Sequence, residues 1–461
     1  MGTETLNRKN ICCDCVGETF LSGEIRREGK ARRCFYCGST TPCITLKNIS
    51  GRVQEAFEEY YVIPNPIYED RYRSDWGNEP GLSTDETIQL AAGVSKQVAS
   101  DIQEILSEQF SDPESWGDDD ENPFSSINRY LLKTTDDTMW HDDWASFEEE
   151  LRTETRFFSL SAIKFLDSIF SGIEKEQTAD GFPVVTTTGP GARYTDVYRA
   201  RCFQSDEEFK TALERPDLHL GPPPSHKATA GRMNADGISV FYGATDPSAA
   251  LAEVRPPVGS RVVVARFEII CPLQLLDLKA LNDIDSSTSV FDRGNSRRLE
   301  RAAFLRHLAR LLAQPVLPDR QRFEYLPTQA IADYLATRVD GPLDGIVFPS
   351  VQAGAGALNL VLFHKAARVQ EIERPQGTDF KVCGGYRDPK LGGGAYTVYE
   401  FVPSGEAETT PVAPTWAYAI NEDRDYRKPV LRIDLDSIYV QYVKGVQFDN
   451  SDPQSVRRSR R

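Results

Sequence analysis

At 461 residues, with 40% hydrophobic and 26% charged residues, the chain has the composition of a soluble globular protein and the length of about three ordinary domains. A formal net charge of −16 disfavours extended contact with a phosphate backbone. No apolar run approaches the roughly 20 residues needed to cross a bilayer. The opening Met1-Gly2-Thr3-Glu4-Thr5-Leu6-Asn7-Arg8-Lys9 also lacks the apolar centre of a secretory signal, so a cytoplasmic protein with no membrane partner is expected.

Residues 1–50 read as a zinc ribbon. Cys12 and Cys15 form one CxxC knuckle, and Cys34 and Cys37 form a second after eighteen intervening residues. This is the spacing of four thiolates around one tetrahedral Zn2+ that staples two β-hairpins. Four thiolates leave no open coordination position, which predicts a structural rather than a catalytic metal. Cys13 and Cys43 fall outside the regular spacing, and Cys202, Cys271 and Cys383 are scattered, which argues against a disulfide framework. Arg26, Arg27, Lys30, Arg32 and Arg33 make a local basic patch. In so acidic a chain a fold-stabilising or protein-docking role is expected ahead of nucleic-acid binding.

Residues 51–180 read as helical. Ser50-Gly51-Arg52 leads into a helix over Val53–Tyr61, and Ser83 with Glu86 forms a capping box ahead of a helix over Thr87–Phe110. Ile88, Leu90, Ala91, Val94, Val98, Ile102 and Ile105 recur there at helical spacing. A further amphipathic run covers Phe157–Ile173. The acidic runs Asp118-Asp119-Asp120-Glu121 and Glu148-Glu149-Glu150 read as solvated faces or loops, with a surface for a basic partner as the alternative.

Residues 185–367 carry the chemistry. Arg199 and Arg201 alternate with Tyr198 and Ala200, as on one face of a strand. Gly221-Pro222-Pro223-Pro224 is a stiff loop ahead of Arg232, which itself lies in a Gly-flanked loop. Ile238–Ala244 reads as a strand carrying Tyr242, and Asp246 and Pro247 start a short helix that carries Glu253. A cationic clamp, an aromatic ring and one carboxylate converging at a sheet end suit a phosphate-bearing nucleoside. Helices over Ser296–Ala313 and Thr328–Val339 form an insertion before the strand Gly345–Pro349, Ser350, and the run Leu358–Phe363. Residues 368–461 read as a small β-rich appendage or an extension of the same sheet, ending in the basic tail Ser455–Arg461.

From about residue 190 to 367, Arg232, Tyr242, Glu253 and Ser350 in that order resemble the RES domain, a bacterial family named for an arginine, a glutamate and a serine. Val197–Arg201 and Leu358–Phe363 are similar to its opening and closing strands. The resemblance implies an α+β, ADP-ribosyltransferase-like fold and a toxin that destroys NAD by breaking the nicotinamide–ribose bond. It makes Arg232, Tyr242, Glu253 and Ser350 the candidate catalytic residues, and Arg199, Arg232 and Tyr242 the candidates for binding NAD. Which arginine meets the phosphates stays open, as does the acceptor: water, phosphate or a macromolecule. Two alternatives stand beside this one, an ADP-ribosyltransferase acting on a macromolecule and a non-catalytic sensor of NAD or ADP-ribose. RES proteins are typically paired with an Xre-type antitoxin, which here would come from another gene.

Residues 10 to 175 resemble, more loosely, the HEPN-type amino-terminal extension of some RES proteins. HEPN ribonucleases use an Arg and a His a few residues apart on one helix. Here His141 has only Arg129, twelve residues away, and Arg301 with His307 lies in the RES half. Scaffolding, homo-oligomerisation or sensing is therefore expected of this region. The expected architecture is a zinc ribbon (1–50), a helical domain (51–180), the RES domain (185–367) and a β-rich C-terminal extension (368–461).

Overall fold

The computed structural model describes residues 3–64, 81–111, 122–133, 137–156, 158–285, 289–317, 319–337, 341–350, 352–353, 356–387, 394–403 and 425–446. The acidic run Asp118–Glu121 and the tail Ser455–Arg461 lie outside them. The chain forms two compact units, Met1–His141 with Ser286–Phe304, and Asp142–Asp285 with Leu305–Arg461. No helix among the described residues is long and apolar enough to cross a membrane.

In the first unit, β1 (Asn10–Cys12), β2 (Lys30–Arg33) and β3 (Thr40–Thr45) form an antiparallel sheet in the order β1-β3-β2. The expectation of two hairpins is corrected here. Only the second knuckle closes a hairpin, between β2 and β3, whereas the first is a 3-10 turn over Cys13–Cys15. The helix Thr19–Glu28 fills the stretch between them. Glu18 caps that helix at the Phe20 and Leu21 amides, and Leu21 and Ile25, one helical turn apart on its inner face, are both buried.

Two helix boundaries also differ from expectation. The helix expected from Val53 runs Leu46–Tyr60, because Thr45 caps it at the Asn48 amide. Ser50 then lies inside it, with its hydroxyl donating to the Leu46 carbonyl at 3.0 Å. The single helix expected over Thr87–Phe110 is two, Thr84–Ala92 and Lys96–Gln109. Gly93, at φ +61°, ends the first and Ser95 caps the second. The break has a packing cause: a Cβ on Gly93 would meet the Gly17 Cα at 2.9 Å, and the Gly17 amide donates to the Gly93 carbonyl at 2.9 Å. The Ser83–Glu86 capping box is present.

The helix Lys96–Gln109 is tied to the cysteine-bearing sheet by Asp101, which pairs with buried Lys9 at 2.6 Å and accepts from the Tyr36 hydroxyl at 2.7 Å. Strands β4 (Tyr61–Val62), β5 (Leu82–Ser83) and β6 (Arg129–Leu132) make a second small sheet in the order β4-β6-β5. Arg129 stands on β6 and donates to the Gly81 carbonyl, while His141 stands on the helix Thr138–Thr153 beside Asp137. The two therefore share no helix. Residues from the insertion complete this unit: Arg52 donates to the Phe291 carbonyl, and Arg293 pairs with Glu55 at 2.8 Å.

The second unit is built on one mixed sheet of eight strands. These are β7 (Val185–Thr188), β8 (Asp196–Phe203), β9 (Phe241–Ala244), β10 (Arg261–Ile269), β11 (Leu273–Asp277), β12 (Gly345–Pro349), β13 (Leu358–Leu362) and β16 (Leu431–Tyr442). Their order is β16-β10-β8-β9-β13-β12-β11-β7, and only β11 and β12 are parallel neighbours. The C-terminal segment divides between the two expectations: β16 extends this sheet, whereas β14 (Asp379–Arg387) and β15 (Gly394–Phe401) form a separate ribbon. The insertion helices are Asn295–Ala313 and Leu326–Thr337. The helix Leu160–Phe170, capped by Ser159, belongs to this unit, where Tyr334 donates to Asp167 at 2.7 Å.

One face of the sheet carries Val197, Phe241, Phe267, Leu275, Val347 and Leu360. On the other, Ala200, Ala244, Val262 and Val264 pack against Ala249 and Ala250 of the helix Pro247–Glu253. Alanine against alanine lets that helix lie close to the sheet. Within the sheet the pairing of β8 with β9 is short, made only at Tyr198 and Ala244. The sheet therefore opens along that seam.

Candidate active site

The helix Pro247–Glu253 starts as its sequence requires, with Asp246 accepting from the Ala249 amide at 2.9 Å and Pro247 in the first turn. Glu253 is its last residue. Its Oε1 accepts from the Ser350 hydroxyl at 2.7 Å and from Asn359 Nδ2 at 2.7 Å. Its Oε2 has no hydrogen bond among the described residues. Ser350, just after β12, is held in turn by the Gln352 and Ala353 amides, which donate to its oxygen at 3.3 and 3.2 Å. These contacts place Ser350 where it orients the glutamate.

Glu253 and Asn359 line a cavity of about 410 Å³ at the seam, with Tyr198, Arg199 and Ala200 from β8 and Tyr242 and Gly243 from β9. Gly243 is needed at this point, since a Cβ would meet the Phe241 ring at 2.8 Å and the Tyr198 carbonyl at 3.1 Å. Arg199 bridges the seam, its Nη1 donating to the Tyr242 carbonyl at 3.0 Å and its guanidinium lying over the Phe241 ring. Burial, and more weakly the Arg201 charge, push Arg199 down to about 9, so it remains a cation at neutral pH. No carboxylate pairs with it among the described residues, so a bound anion would recover part of the cost of burying that charge.

The strand expected over Ile238–Ala244 is shorter, because the loop before it is organised by a buried Asn234. That amide donates to the carbonyls of Thr229, Ala235 and Ile238 at 3.0–3.1 Å and accepts from the Tyr242 hydroxyl at 3.0 Å. The Tyr242 oxygen also accepts from the Met233 amide at 3.0 Å. Its hydroxyl therefore holds the Arg232 loop, and its ring is what the cavity meets. Burial pushes that hydroxyl up to about 12, which keeps it protonated. Gly231 has no room for a side chain: a Cβ would lie 2.5 Å from Asn234 Oδ1 and 2.7 Å from the Tyr242 hydroxyl. Arg232 lines the cavity, donates to the Leu312 carbonyl at 2.5 Å and lies over the Tyr325 ring.

Residues 197–382 match the model of the RES domain, and residues 27–165 match that of HEPN/RES N-terminal domain 1. The chain thus carries a RES domain behind a HEPN/RES N-terminal domain. Searches of curated proteins and of solved structures find no match. All four residues expected from the family order, Arg232, Tyr242, Glu253 and Ser350, lie in or against one cavity of the RES domain, with Arg199 beside them.

Two residues of this RES domain escaped the reading of its sequence. Asn234 organises the arginine loop, and Asn359, 5% exposed, holds the glutamate while its own Oδ1 has no partner among the described residues. That orphan acceptor in the cavity wall suits an amide or hydroxyl donor of a ligand. Asn359→Ala is expected to lower kcat for cleavage of the substrate proposed below roughly tenfold, the order of one hydrogen bond to a charged group. Steady-state kinetics with wild-type kcat would remove Asn359 from the site.

The first unit of the RES protein holds a different kind of site. The sulfur atoms of Cys12, Cys15, Cys34 and Cys37 all lie within 4.8 Å of one another, with Cys12–Cys37 at 3.5 Å and Cys15–Cys34 at 3.8 Å. Tetrahedral thiolates at about 2.3 Å from a zinc ion stand roughly 3.8 Å apart, so the cluster fits that metal. Cys43 is excluded as a ligand because its thiol donates to the Arg32 and Thr41 carbonyls, and Cys13 faces Asp14.

Proposed function

We propose that this RES-domain protein degrades NAD by cleaving the N-glycosidic bond between nicotinamide and ribose. The observation that carries the reading is one carboxylate, held through Oε1 by Ser350 and Asn359, in a cavity that Arg199, Arg232 and Arg255 also line, none of them ion-paired among the described residues. Cleavage passes through an oxocarbenium-like state, in which positive charge develops on the ribose as neutral nicotinamide leaves. Glu253 Oε2 stabilises that charge, and a cavity that sheds water strengthens the interaction. Arg199 and Arg232 hold the dinucleotide phosphates, and the Tyr242 ring stacks on the nicotinamide.

The ADP-ribosyltransferase-like reading of the second unit rests on the RES resemblance. With it goes the role of a cytoplasmic toxin or defence effector, restrained by an Xre-type antitoxin from another gene. In the first unit, Cys12, Cys15, Cys34 and Cys37 would hold one structural Zn2+. That unit would serve scaffolding, homo-oligomerisation or sensing rather than ribonuclease chemistry, since Arg129 and His141 share no helix.

Product analysis by mass spectrometry tests the reading. Incubation with NAD is expected to yield nicotinamide with ADP-ribose when water accepts, or with phosphorylated ADP-ribose when phosphate does. ADP-ribose mass added to a macromolecule would instead favour the transferase, and NAD bound but unchanged would favour the sensor.

A further inference from the structure

Arg255 follows Glu253 by two positions and has φ +42°, one of two non-glycine residues with positive φ among the described residues. It occupies the position just after the helix Pro247–Glu253 and its cap Val254, where a left-handed residue is usually glycine. Pro256 follows, and a residue before proline is further biased toward extended backbone. Both rules disfavour a branched cationic side chain here. Arg255, itself exposed, nevertheless lines the cavity, and its side chain makes no ion pair or hydrogen bond among the described residues. Counted with Arg199 and Arg232, it makes three guanidinium groups against the single carboxylate of Glu253.

We propose that Arg255 is a specificity-determining residue, gripping a phosphate in this cavity as a third cation. Strained backbone at a functional site persists when the side chain it presents is needed there, and a planar guanidinium binds phosphate oxygens at two points. The inference rests on the reading that the cavity takes a dinucleotide. Phosphate could come from the dinucleotide itself or from inorganic phosphate acting as the acceptor, and both offer the same oxygens.

Arg255→Gly and Arg255→Lys separate this role from that of a surface turn. In the glycine variant the left-handed position costs nothing, so Tm is expected to rise by about 2 °C or more. Its affinity for ADP, measured by calorimetry, is expected to fall roughly tenfold or more, with KM for NAD rising in parallel and kcat little changed. The lysine variant should recover part of the affinity and none of the Tm gain. If instead binding of inorganic phosphate weakens while that of ADP does not, and the phosphate requirement of turnover rises, Arg255 serves the acceptor. A glycine variant that binds ADP and inorganic phosphate as wild type does overturns the proposal. A wild-type protein that releases no nicotinamide but loses ADP affinity in the variant keeps Arg255 and overturns the NAD-cleaving reading.

Discussion

Glu253→Gln is expected to lower nicotinamide release by roughly 100-fold or more, the scale on which a single preorganised electrostatic group acts in other enzymes. The substitution keeps the shape of the side chain. The amide oxygen can still accept from Ser350 and Asn359, as Oε1 does now. What disappears is the negative charge proposed to face the ribose, where positive charge builds up only as the bond to the pyridinium ring breaks. Tm and the dissociation constant for NAD should therefore stay near wild type while kcat falls, the signature of an interaction made as the bond breaks. A variant that instead raised KM at constant kcat would make Glu253 a binding residue, and the mechanism would need another source of charge.

The second large effect concerns the metal. Cys34→Ser is expected to reduce bound zinc from one ion per chain to near zero and to unfold the N-terminal end of the first unit. Apparent binding free energies of about 10–16 kcal/mol for structural zinc in small peptides exceed the whole stability of most domains. The three-stranded sheet is short, and beside an apolar core of Ile11, Leu21, Ile25 and Ile102 its polar tie to the helix Lys96–Gln109 runs through Lys9, Tyr36 and Asp101. Cys43→Ser makes the comparison sharp. Its thiol is committed to two carbonyls, so that variant should keep its zinc and its protection from protease. Metal content by mass spectrometry, with limited proteolysis, checks both. Equal zinc loss in the two variants would mean the ligand set is wrong.

Much of the site could be read from local chemistry. The Asp246-Pro247 start fixes the helix that ends at Glu253, and the paired CxxC knuckles name the four clustered thiols, because each signal sits within a few residues. What escaped depends on contacts between distant segments. Asn359 lies 106 positions from Glu253, inside a strand that reads as apolar, and nothing local marks its amide as the glutamate's partner. Nothing local separates Asn234 from other polar loop residues, because its role comes from the Tyr242 hydroxyl eight positions on. The break at Gly93 was hidden by helical spacing that continues across it, since its cause is the close approach of Gly17. The seam between β8 and β9 follows from how far two strands stay paired, which composition does not encode. Local pattern alone reads Arg199 as one of two alternating arginines, and its half-buried seat depends on that seam.

The most direct measurement is a time course of NAD and nicotinamide with purified full-length protein, with and without phosphate, run beside Glu253→Gln. The account predicts that wild type converts NAD to free nicotinamide and that the variant does so at least 100-fold more slowly. Intact NAD with the folded wild-type protein, or equal cleavage by both proteins, would contradict it.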